Sequence, residues 1–97
     1  MSKIREIKKD ITYLCEQMIL DAIQLSDIVD KKDKEQVYSM ITDISVFHNE
    51  LIARVNHPDG KDNPKLVKSY FKNISIELLS GSDKFYEKMN SLLPKEK

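Results

Sequence analysis

Apolar residues return every three or four positions along three long stretches of this chain. In the first, Ile4, Ile7, Ile11, Leu14, Met18, Leu25 and Ile28 keep alternating three- and four-residue steps that skip only Asp21, with Cys15, Ala22 and Val29 at the stripe's edges. The second carries Val37, Met40, Ile41, Ile44, Phe47, Leu51, Ile52 and Val55. The third carries Val67, Tyr70, Phe71, Ile74, Leu78, Phe85, Met89 and Leu92. A period near 3.6 residues puts each set on one face of an α-helix, and none of the three shows the two-residue alternation of a strand. The pattern predicts helices over about residues 3–30, 34–57 and 64–93, with Ile11, Leu14, Met18, Ile44, Phe47, Leu51, Phe71, Ile74 and Leu78 at the centre of the core.

The gaps carry helix punctuation. Asp33, with Gln36 three residues later, has the spacing of a capping box for the second helix. The connection after Asp30 is therefore short, and helices one and two must be antiparallel neighbours. Asn56-His57-Pro58-Asp59-Gly60 ends the second helix, since the residue before a proline is pushed out of helical geometry. Asn63-Pro64 then supplies a cap and a preorganised first residue for helix three, and Leu93-Pro94 closes it. The fold class that follows is all-α, an antiparallel up-down-up bundle of three helices. Ser80-Gly81-Ser82-Asp83 offers the alternative, because it reads as a stop followed by a new cap and would make four helices. The stripe keeps its phase through Gly81, however, and an interior glycine costs only about 1 kcal/mol relative to alanine. One continuous helix is the expectation.

Composition narrows the class without naming an activity. A chain of 97 residues fits one domain, 1–97, with residues 94–97 expected as a disordered tail. Sixteen basic against sixteen acidic residues leave no global basic field for DNA or RNA, and without tryptophan there is no rich stacking platform, so no nucleic-acid partner is expected. The start of the chain lacks the apolar core of a secretory signal, and Met18 to Ile23, interrupted by Asp21, is far too short to span a bilayer. A cytoplasmic location without a membrane partner is expected, in keeping with a single unpaired cysteine.

Candidate chemistry depends on which residues share a height in the bundle. Folding helix two back about residues 31–32, and helix three about residue 60, brings Cys15, His48 and Tyr70 to one inward-facing layer. A thiol beside an imidazole could serve as a nucleophile and base or as part of a soft-metal site. The same residues also suit a hydrogen-bonded core histidine beside a small buried thiol. The second use is expected, because no glycine-rich oxyanion loop accompanies the pair and two ligands do not close a zinc site. Asp21, Asp43 and Glu77 form a second, acidic layer by the same folding. Neither histidine, however, has the glutamate three positions earlier that di-iron bundles use. No catalytic, cofactor or metal residue is therefore assigned, although a small enzyme or metal-binding bundle built on either layer stays the alternative.

The surface carries the more specific signal. Tyr13 and Leu20 lie opposite the core stripe of helix one, with Ile19 and Ile23 on an intermediate face. Tyr38 and Val46 on helix two, and Ile76, Leu79 and Tyr86 on helix three, also fall off their stripes. Apolar residues on so much of helix one's circumference suggest burial on two sides. Residues 3–9 hold four basic groups and one acid, whereas residues 10–30 hold five acids and no base. The expectation is a non-enzymatic interaction or scaffold module. It would form a homodimer, or bind a helical partner, through Tyr13, Ile19, Leu20 and Ile23.

Overall fold

The three periodic stretches form three long helices in the computed structural model, which describes residues 2–57 and 63–94. Helix α1 spans Ser2–Ile28, α2 spans Lys34–Asn56 and α3 spans Pro64–Leu92, with a single 3-10 turn, Lys31–Asp33, between α1 and α2. Among the described residues there is no strand. The up-down-up order makes α1 and α2 antiparallel and α1 and α3 parallel. Residues 58–62, where a turn is expected, and 95–97 of the expected disordered tail 94–97 lie outside the described residues.

The core follows the stripes. Ile11, Met18, Ile44, Leu51, Ile74 and Leu78 are buried, as expected, and Cys15, Ala22, Val37, Val55 and Met89 join them. Leu14, Phe47 and Phe71, expected at the centre, are instead half-buried along the seams. Only Ile74, Leu78 and Met89 of the buried apolar residues come from α3, and α1 packs far more closely on α2 than α3 packs on either. The bundle is thus an α1–α2 hairpin with a third helix laid along it. It measures 56 × 19 × 18 Å. Its radius of gyration of 16.0 Å exceeds the roughly 12.5 Å of a compact globule of this length, because three long helices side by side make a rod.

Two local expectations meet different fates. Asn63 caps α3 as its spacing implies, its side-chain oxygen accepting from the backbone N–H groups of Lys65 and Leu66. Asp33 does not cap α2. The 3-10 turn runs straight into the helix, so Asp33 already has helical geometry (φ −93°, ψ −9°) and its carboxylate makes no cap hydrogen bond. The connection is held from the other side, where the Lys34 ammonium donates to the Ser26 carbonyl in the last turn of α1.

Helix α3 continues unbroken through Gly81, so the bundle has three helices rather than four. The neighbouring Ser82 is buried, and its hydroxyl donates back to the Leu78 carbonyl at 2.8 Å, so it is satisfied within the helix and does not act as a cap. Gly81 is there for contact. The Phe47 ring of α2 rests on it so closely that an added Cβ would stand 2.7 Å from Cε1 and nearer still to Cζ. Phe85, one turn further on, meets the same ring edge-on at 5.6 Å.

Candidate functional site

The expected thiol–imidazole–phenol layer does not assemble. His48 faces Thr12, not Cys15: its Nε2 lies 3.1 Å from the Thr12 hydroxyl and its Nδ1 3.1 Å from Asn49 Oδ1. An amide oxygen can only accept, so Nδ1 is the donor to Asn49, while the Thr12 hydroxyl, which can donate or accept, partners Nε2. Both ring nitrogens are occupied. Cys15 is buried at 1% exposure among aliphatic side chains, and burial pushes its thiol up to about 11. At neutral pH it is a small hydrophobe without thiolate character. Tyr70 lies nearer the loop end, where the Arg54 guanidinium sits 5.7 Å from its ring centroid.

The acidic layer is dispersed in the same way. Asp21 Oδ2 accepts from the Tyr86 hydroxyl at 2.7 Å across the α1/α3 seam. Desolvation, reinforced by that hydrogen bond, drives the Tyr86 phenol up to about 12. Glu77 pairs with Arg54 at 2.7 Å, and the hydrogen bond holds its carboxyl below the usual range. Asp43 lines the α2/α3 groove beside Phe47 and Gly81, with Lys84 and Lys88 along the same groove. Among the described residues no three His, Cys, Asp or Glu side chains converge as metal ligands would. Neither Thr12 nor Arg54 stood out in the sequence. Tyr86, expected among the exposed apolar residues, is half-buried and hydrogen-bonded.

On the outer side of α1 the expected apolar residues divide. Tyr13, Leu20 and Ile23 are exposed at 63%, 52% and 47%. Ile19 is half-buried and packs against the core edge toward α2. On a helical wheel of about 100° per residue, Leu20 and Ile23 gather on the outward side of α1 with exposed Lys9, Glu16 and Asp27, and Tyr13 borders that side where it also lines the α1/α3 groove with Leu79. No helix among the described residues is long and apolar enough to cross a membrane. No family model, curated protein or solved structure matches the chain.

Proposed function

We propose that this protein is a non-enzymatic interaction module that self-associates through the outer face of α1. The observation that carries the reading is the cluster Tyr13, Leu20 and Ile23, three large apolar side chains about half exposed or more on one outward face. Full burial of a leucine or isoleucine is worth roughly 1.5–3 kcal/mol. Two copies each contributing such residues can offset the several kcal/mol that association costs. The candidate chemistry gives no competing reading, since Cys15 is desolvated and His48 spends both ring nitrogens on Thr12 and Asn49.

A single pair of helices buries less than the roughly 1,600 Å² of a standard interface, so the dimer belongs in the micromolar range. Sedimentation equilibrium on the purified chain should give a monomer–dimer equilibrium there. Leu20→Glu should make the protein monomeric with its helical circular dichroism unchanged, because a half-exposed side chain contributes little to the monomer. A strictly monomeric mass at high concentration would overturn the reading.

A further inference from the structure

Resting on that self-association, we propose that the two copies pair antiparallel, about a two-fold axis at the level of Met18, with Lys9 of each copy against Asp27 of the other. Lys9 and Asp27 are both exposed, and neither has an ion-pair partner among the described residues. They stand five full turns apart, so they lie on one line down the outward side of α1. The exposed apolar residues Tyr13, Leu20 and Ile23 fall between them. The stripe is therefore basic at one end, apolar in the middle and acidic at the other end.

That order decides the direction of pairing. A parallel pair would set Lys9 on Lys9 and Asp27 on Asp27, two like-charge contacts at the ends of an apolar contact. Reversing one copy converts both into opposite-charge contacts and sets Tyr13 against Ile23. Tyr13 then lies level with Ile23 of the second copy, and the two Leu20 side chains flank the axis about 6 Å apart along it. A two-fold arrangement of this kind closes on itself and leaves no open face for further growth. Glu16, also exposed, is the exception. It lies level with Leu20 of the second copy, about 6 Å along the axis from its own counterpart, and a carboxylate there opposes association.

The test is a set of dissociation constants from sedimentation equilibrium on the full chain. Lys9→Asp and Asp27→Lys should each weaken the dimer by about tenfold, since each replaces two attractive contacts by two repulsive ones. The two substitutions in one chain should restore the wild-type constant to within about twofold; a parallel pair, whose end contacts stay like-charge in every variant, would show no loss in the single variants to restore. Glu16→Leu should tighten the dimer by about tenfold. All are exposed positions, and thermal melts verify that each variant folds. A dimer that Leu20→Glu abolishes but the charge variants leave unmoved would overturn the register and spare the self-association. A wild-type chain that never dimerises would overturn both.

Discussion

Gly81 sets a conflict between two local energies. Alanine there would gain about 1 kcal/mol of helix propensity. Its methyl group would also push into the Phe47 ring, which cannot swing aside freely because Phe85 stands edge-on against it. Overpacking of this kind costs about 1–3 kcal/mol, so Gly81→Ala should destabilise the protein by about 1 kcal/mol in denaturant titration. A stabilised variant would show that Phe47 relaxes without cost. Cys15 and Tyr86 both bind their protons more tightly in the folded chain, at about 11 and about 12 against ordinary values of 9.0 and 10.0. Groups raised in this way contribute stability at low pH and lose it as pH climbs through the folded value. Stability should therefore be insensitive to these two groups at neutral pH, begin to fall above about pH 9, and keep falling toward pH 12. Tyr86→Phe should remove the upper part of that decline, at a cost of about 1 kcal/mol at neutral pH for the lost hydrogen bond to Asp21. An unchanged alkaline profile in Tyr86→Phe would assign the decline to other groups.

Among the elements, the two helix starts behave oppositely, although both carry a residue with capping chemistry. Asn63→Ala should cost about 1 kcal/mol, because two backbone donors of α3 lose their acceptor. Asp33→Ala should stay within about 0.5 kcal/mol, since its carboxylate caps nothing. A large loss at Asp33 would mean that the carboxylate acts through something other than the cap. The same contrast explains what the chain alone discloses. Which residues face inward follows from apolar periodicity, and the three helices were legible from it to within a residue or two at each end. Height along a neighbouring helix does not follow, because it is set by loop geometry and by individual contacts. Thr12 rather than Cys15 stands opposite His48, about one helical turn from the expected level. Between α2 and α3 the displacement is larger. Arg54 meets Glu77 and Phe47 meets Gly81, so Glu77 and Asp43 are not level neighbours. Every proposed catalytic or metal layer depended on height, and none assembled; the outward apolar face depended only on direction, and its exposure at Tyr13, Leu20 and Ile23 followed.

At the scale of the molecule, stability is unevenly shared. The α1–α2 hairpin supplies most of the buried apolar side chains, whereas α3 contributes three and begins with a largely exposed turn at Pro64–Leu66. Segments with few buried contacts open at lower free energy than the core. Hydrogen exchange should accordingly be fastest in the first turns of α3 and slowest around Met18 and Ile44, the midpoints of the hairpin. Equal protection along all three helices would instead indicate that the bundle opens only as one unit. A rod of three helices also leaves an outer face on every helix. Tyr38 and Val46 on α2, and Ile76 and Leu79 on α3, occupy those positions, the α3 pair between exposed Lys65 and Asp83, which like Lys9 and Asp27 stand five turns apart.

The buried thiol gives the protein a built-in clock. Cys15 is the chain's only cysteine, and at 1% exposure in the α1 core it meets a thiol reagent only when the bundle opens. Labelling under native conditions then reads an opening equilibrium directly, without an added probe or a denaturant. Because whatever binds the folded state alone stabilises it by mass action, pairing through the opposite face of α1 would slow that labelling as protein concentration rises. One mass-spectrometric time course at several concentrations would thus follow both how often the hairpin opens and how much a second copy keeps it shut.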